Sequence, residues 1–538
     1  MWPACCTASR LGAPVRIDAD RRAQWLGLAA LLLAWEVAGR LQWVGQGALP
    51  APSAVLQHLW LDRADYPAHV WGTVRTAFAG FVIGNLIAVA FGLLFAWSRP
   101  AGRIMSGVNI TLFAMPAIAL VPILVIALQG DTPRVVLAAL SVYYPTMVAT
   151  VLGLSQVDAR LCDLVRVYGG GDWAIVRRVR LRSGLPTLLA CLRVASPAAV
   201  LGSLLAEFGS GGNAGLGTYL IGSLGRAEPA RLWGIGLSAT AISALAYFSV
   251  DALARRFAGD TQSATTQLGQ SGVAVAEPRV QRIAIAFAAA LLPFVFWWGC
   301  VQLFLGLGVS EVVLRDPLDV FRHLFTNENA ADSMQRLTDA LAQTLPYTLA
   351  GMAAGLAFAT ALAVAGTVWR SLGQTLLPVS LVSQSMPLVA LTPLVVLVFG
   401  RGAATILVVT VSVTFFPAFV TIAQGLALVP ATVLDVVRAY GGGRLRQMRL
   451  IALPWALPYL CAAARLAAPR AFLGVMIAEW LATGTGIGNL LNESRGMMDF
   501  GMIWSVAVVA IVIAVALHAA VLAVERVVLR RYAMAAPA

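Results

Sequence analysis

A chain of 538 residues in which 59% are hydrophobic and only 12% charged has too little polar surface to clothe a water-soluble globule. Its net charge of +13 could suggest a nucleic-acid partner, but the chain contains no Lys, and its Arg residues gather in alternate loops, which reports membrane topology instead. The six cysteines, from Cys5 and Cys6 to Cys461, and the four histidines, His58, His69, His323 and His518, fall at no metal-ligand spacing, so no metal, cofactor or integral-membrane enzyme chemistry is expected.

In chain order, residues 1–23 read as a frayed cytoplasmic N-terminus, too short before Cys5 and Cys6 for a signal peptide. Apolar runs near the ~18-residue length needed to span a bilayer then follow at 24–39, 74–97, 110–128, 135–154, 186–208 and 232–253. The stretch 256–280, rich in Gly, Ser, Thr and Gln, reads as a cytoplasmic linker. Six more runs occupy 283–305, 345–368, 376–399, 404–426, 457–481 and 503–524, before a short tail at 531–538. The expectation is an all-α polytopic membrane protein of about twelve spans in two domains, 24–255 and 281–530.

The two sets of spans are copies. Asp163-Leu-Val-Arg-Val-Tyr-Gly-Gly-Gly171 returns as Asp435-Val-Val-Arg-Ala-Tyr-Gly-Gly-Gly443, half a chain later. In the same register to within one residue, Thr73, Gly80 and Gly84 match Thr344, Gly351 and Gly355; Met115-Pro116 matches Met386-Pro387; and Arg193, Pro197 and Glu207 match Arg465, Pro469 and Glu479. An even number of spans per copy makes the repeats parallel, related by an axis along the membrane normal, with a pathway expected between them. Arg160, Arg166, Arg177, Arg178, Arg180 and Arg182 crowd the loop holding the first phrase, whereas 310–343 is acidic, so both phrases are expected to face the cytoplasm, as are both termini.

Each phrase lies between the fourth and fifth spans of its copy, where a helix ending at Gly can turn sharply and a second short helix can lead to a Pro opening the next span. Here the chain resembles the permeases of binding-protein-dependent ABC importers, whose loop carries Glu-Ala-Ala, three further residues, a Gly, nine residues, and then Ile-x-Leu-Pro. Asp435, Gly441, Ile451, Leu453 and Pro454 fit that pattern; the first copy keeps Asp163, Gly169, Val179 and Leu181 but has Arg182 in place of the Pro, with Pro186 beyond. The resemblance implies a type I importer fold, two ABC ATPase subunits docked on the two loops, and an extracytoplasmic solute-binding protein at the opposite face of a bacterial inner membrane. It also implies that the first loop is less critical than the second. Leu49-Pro-Ala-Pro-Ser-Ala-Val55, Met115 to Pro122 and Glu207 before Gly215-Leu-Gly217 resemble the nitrate, sulfonate and taurine group; vitamin precursors such as pyrimidines or riboflavin stay open as substrates, and an ion-gradient-driven transporter is the competing class. A P-loop needs a Lys, so ATP hydrolysis would belong to a separate subunit.

Within the membrane, Met115, Pro116, Gln384, Ser385, Met386 and Pro387 are candidates to line the pathway, against simple helix kinks. Glu207 and Glu479, ~32 Å along their helices from Pro186 and Pro458, lie near the outer end of the fifth spans, as gate contacts or as local caps. Arg193 and Arg465 are expected to snorkel to the interface or pair with a neighbouring helix rather than attract an anionic substrate.

Overall fold

The computed structural model describes residues 17–98, 102, 105, 108–109, 111–112, 115–155, 157, 159–212, 214–226, 228–258, 279–369, 372–373 and 388–532. Among these the structure is helical, with no strands. The first half runs α1 (Ile17–Arg40), α2 (Pro52–Leu61), α3 (Tyr66–Trp97), α4 (Ala117–Ala127), α5 (Thr132–Ser155), α6 (Ala159–Val167), α7 (Asp172–Ile175), α8 (Leu181–Ser210), α9 (Leu216–Leu224) and α10 (Pro229–Ala258). The second repeats the order as α11 (Arg279–Gly306), α12 (Pro317–Phe325), α13 (Ala330–Val368), α14 (Leu388–Phe399), α15 (Ala403–Ala427), α16 (Ala431–Ala439), α17 (Arg444–Gln447), α18 (Leu453–Ala478), α19 (Gly486–Gly496) and α20 (Phe500–Arg531). Eight of these helical runs are long and apolar enough to cross a membrane, and three shorter apolar ones, Ala117–Ala127, Leu291–Gly306 and Ala390–Phe399, stand at the expected places of third and first spans.

Two expected features come out differently. The run 110–128 is not one helix: the chain breaks at Met115, Pro116 takes an extended conformation (φ −64°, ψ 114°), and only Ala117–Ala127 continues. A proline lacks the N–H and crowds the preceding turn, so here it separates two segments rather than bending one. The acidic stretch 310–343 is largely helical. Asp316 accepts the Asp319 N–H (2.8 Å) in a capping box with Pro317 in the first turn of α12, and α13 begins at Ala330.

Inside lipid there is no hydrophobic drive between helices, so their association rests on close packing of small residues. The fifth position of each half shows it. The α5 helix lies between α3 and α8, and α15 between α13 and α18. A Cβ on Gly84 would sit 2.5 Å from the Ala139 carbonyl oxygen, and one on Gly355 would overlap Thr414. The matched glycines are therefore contact points between second and fourth spans.

The halves interlock. The α4 helix of the first packs on α20 of the second, and α14 of the second on α10 of the first. A single apolar cluster accordingly includes Ile118, Leu204 and Leu232 together with Phe472, Met476 and Ile503. Beyond the fifth spans, Arg495 Nη2 donates to the Gly209 carbonyl across the halves (2.6 Å), so the far ends of α8 and α18 lie at one end of the molecule. The repeats are parallel, as the even span count requires. Matching indoles seat each first span: Trp35 meets Trp233 and Trp297 stacks on Trp504, while Trp233 and Trp504 donate to the carbonyls of Ala48 (3.1 Å) and Val313 (2.9 Å).

Candidate functional site

Each repeated phrase folds into the same helical knob. The first helix, α6 or α16, is stitched by an ion pair three residues apart, Arg166 to Asp163 (3.1 Å) or Arg438 to Asp435 (2.8 Å). It then ends on a glycine with positive φ, Gly169 (77°) or Gly441 (73°). In both, the glycine N–H returns to the carbonyl three residues back and the next N–H to the carbonyl five back: Gly169 to Arg166 and Gly170 to Val165 (both 2.9 Å), Gly441 to Arg438 and Gly442 to Val437 (both 2.8 Å). This double bond pattern satisfies helix-end carbonyls and needs a residue without Cβ strain at the left-handed position. The tyrosines before the turn are left outside: Tyr168 is 83% and Tyr440 86% exposed. Val167, Leu164 and Trp173 on one knob, and Val436, Leu445 and Leu450 on the other, are exposed beside them.

The connection into the fifth span differs from expectation. No break or fresh start occurs at Pro454. Instead α7 passes through a wide turn, Val176–Arg180, straight into α8, and α17 through Met448–Ala452 into α18. In each, the residue after the turn bonds five back, Leu181 N–H to Val176 O and Leu453 N–H to Met448 O. Val179 and Ile451 lie within these turns, Leu181 and Leu453 follow them, and Pro186 is inside α8. Because Arg182 holds the place of Pro454 and the turn forms all the same, the proline is not what makes it. The result is one helical rod, Trp173–Ser210 or Arg444–Thr483, from knob to far end.

Two knobs of one geometry on two repeated halves invite comparison with known proteins. The profile of the family described as binding-protein-dependent transport system inner membrane component matches residues 84–261 and again 351–533, more than half of the chain. The chain belongs to this family. A probable ABC transporter permease of Haemophilus influenzae is 27% identical over 231 residues, 43% of this chain and 94% of its own length. A riboflavin transport system permease of Chloroflexus aurantiacus is 30% identical over 161 residues, 30% of this chain and 60% of that one. A putative aliphatic sulfonates permease of Escherichia coli is 26% identical over 210 residues, 38% and 80% of the two chains. A nearly whole relative thus corresponds to less than half of this permease, an ABC transporter permease of the inner membrane with two modules in tandem.

At the end opposite the knobs, the permease buries both repeated glutamates, and their partners identify them as caps. Glu207 Oε1 accepts from Thr73 Oγ1 (2.8 Å), and its Oε2 accepts the Gly217 N–H (2.7 Å), while Thr73 Oγ1 accepts the Leu216 N–H (2.9 Å). Glu479 repeats this with Thr344 (2.8 Å) and Gly488 N–H (3.0 Å), and Thr344 accepts Ile487 N–H (2.9 Å). A threonine of the second span and a carboxylate of the fifth thus satisfy the free N–H groups opening α9 or α19, where the helix dipole favours negative charge. Spans two and five and the following short helix are latched at one point in each half.

The conserved-register arginines pair with the sixth span. Arg193 meets Asp251 (2.9 Å), which Arg255 also contacts (2.8 Å); Arg465 meets Glu525 (3.4 Å). The two acids were not singled out from sequence; Asp251 lies inside its apolar run and Glu525 just past the end of its own. Met115 is partly buried, and Pro116 is buried at the start of α4; their counterparts Gln384, Ser385, Met386 and Pro387 lie outside the described residues. The motif around Pro52 proves to be a helix start: Glu36 accepts from Ser53 Oγ (2.6 Å) and N–H (3.0 Å) at the head of α2.

Proposed function

We propose that this permease forms the translocation pathway of an importer, driven by two separate ABC ATPase subunits that dock on the knobs and supplied by an extracytoplasmic solute-binding protein at the latch end. The observation that carries the reading is the pair of knobs with one backbone geometry, each presenting an exposed tyrosine and apolar neighbours to a partner. On this reading Asp163, Gly169, Val179, Leu181 and Pro186, with Asp435, Gly441, Ile451, Leu453 and Pro454, shape the docking surface. The knob end, both termini and the linker 256–280 are cytoplasmic, and 24–255 and 281–530 are the two transport domains. Met115 and Pro116, with Gln384 to Pro387, are pathway candidates; Glu207 and Glu479 act as structural latches. The chain carries solute and performs no chemistry on it.

The solute is of the nitrate, sulfonate or taurine type, a reading supported by the sulfonate permease relative and the sequence segments of that group. The riboflavin relative keeps a vitamin or its precursor as the second reading. Uptake by proteoliposomes holding the permease, ATPase and binding protein tests the assignment. Uptake should require ATP and both partners; uptake that follows a proton or sodium gradient without the ATPase would sink it.

A further inference from the structure

One face of each fifth span changes from open to closed on leaving the knob. On α18 this face is Leu466, Arg470, Leu473 and Ile477, spaced so that all four lie on one side of the helix. Leu466 is 37% exposed, Arg470 and Leu473 are partly buried, and Ile477 is 2% exposed. On α8 the matching face runs from Val194, 53% exposed, through Ala198 and Leu201 to Leu205 at 3%. Ile477 and Leu205 sit in the apolar cluster that joins the halves, with Leu473 and Leu201 packed against it. Both faces therefore lead from an accessible zone on the knob side to a seal on the latch side.

The two faces differ in charge at a single place: Arg470 stands where the first half has Ala198. Counting from Pro458, Arg470 lies ~18 Å along the span, well inside a hydrocarbon layer of ~30 Å. A guanidinium at that depth is costly unless something negative meets it. The other fifth-span arginines have such partners in Asp251 and Glu525. Among the described residues, Arg470 makes no hydrogen bond or ion pair.

We infer that Arg470 is the recognition point for an anionic oxyacid group of the transported solute, a sulfonate, carboxylate or phosphate held part-way along the pathway by the second half alone. This rests on the permease reading. A planar guanidinium offers a two-pronged match to such a group and stays charged at every physiological pH. One arginine is also a better design than two: a homodimer with Arg at this position would set like charges across its axis, whereas a fused chain carries one. A single contact attracts the anion yet leaves it weakly enough held to move on.

The test uses the full chain in phosphatidylcholine nanodiscs, titrated with methanesulfonate or with uncharged dimethyl sulfone while the thermal unfolding midpoint is followed. Methanesulfonate should raise the midpoint and the sulfone should not. Arg470→Ala, which copies Ala198, should weaken the apparent affinity about tenfold or more, with Arg470→Lys retaining part of it. The unliganded midpoint of Arg470→Ala should stay level or rise, which shows that the variant folds. An unchanged methanesulfonate response in Arg470→Ala overturns the inference, as does a wild-type chain indifferent to methanesulfonate, acetate and inorganic phosphate. Discs containing phosphatidylglycerol separate the other source of the same chemistry: a midpoint shift that depends on this lipid and on Arg470, without any sulfonate response, would assign the site to a lipid headgroup and overturn the solute reading. Co-purification of ATPase with the wild-type chain is scored separately, so failure of the permease reading leaves the anion titration interpretable.

Discussion

The two halves share a backbone but not a charge plan. Their knobs turn on the same positive-φ glycine, their fifth spans carry the same wide turn, and their latches use the same Thr–Glu pair. Around this frame the ionic partners diverge. Asp251 of the first half is held by two arginines, Glu525 of the second by one, and Arg470 has no counterpart at Ala198. Backbone geometry is kept in both copies, while the charged partners differ between them.

The comparison breaks most sharply at the knobs. Gly441→Trp places a large side chain at a left-handed position on an exposed turn, so ATPase co-purification and ATP-dependent uptake should fall to background while membrane insertion persists. Gly169→Trp should cost less, since the first loop departs from the family pattern at Arg182; equal losses would refute the asymmetry.

Removing the fifth-span arginines should separate the halves next. Arg465→Ala leaves the Glu525 carboxylate buried with neither a cation nor a hydrogen bond, a destabilisation of about 3–5 kcal/mol. Arg193→Ala leaves Asp251 with Arg255, and about 1–2 kcal/mol is expected. Thermal unfolding in detergent reads both, and a larger loss for Arg193→Ala would invert the argument.

The latches should behave alike. Glu207→Ala and Glu479→Ala each strand a buried N–H, about 2–3 kcal/mol apiece, with Thr73 also losing its acceptor while Thr344 keeps the Ala340 carbonyl (3.0 Å); a gap between them well beyond that spread would show that one glutamate does more than cap. The smallest effect is acid sensitivity. Arg231 donates to both oxygens of Asp62, with one bond at 2.7 Å, and holds that carboxyl below its usual range. A depressed folded pKa stabilises above the unfolded value of ~3.9 and is lost as pH falls through the folded one. The matching residue closing α12 is Thr326, so acid should loosen the first half before the second. Asp62→Asn should remove that pH dependence below about pH 4 and cost about 1 kcal/mol at neutrality, measured by urea unfolding across pH.

Much of the frame was legible because hydropathy, turn chemistry and repetition are local. The apolar runs marked the spans, Gly169 and Gly441 marked the turns, and Met115-Pro116 marked an interruption, though a full break rather than a kink needed coordinates. Thr73 and Thr344 were visible as repeated residues, but their partners lie 134 and 135 residues away, a separation that pattern reading cannot bridge. Asp251 and Glu525 were hidden for the same reason. Arg470 was hidden by the comparison itself: aligning copies draws attention to what they share, and Arg470 against Ala198 is a difference.

The unbroken rods Trp173–Ser210 and Arg444–Thr483, of 38 and 40 residues, have a mechanical meaning. At ~1.5 Å per residue each is about 57–60 Å long, so a tilt of ~10° about the midpoint displaces both tips by ~5 Å in opposite directions. Each rod has a knob at one tip and a latched glutamate near the other. Leverage of that kind lets a small angular change at the knob shift the far end by about the width of an amino-acid side chain, with no need for any residue along the shaft to relay a signal.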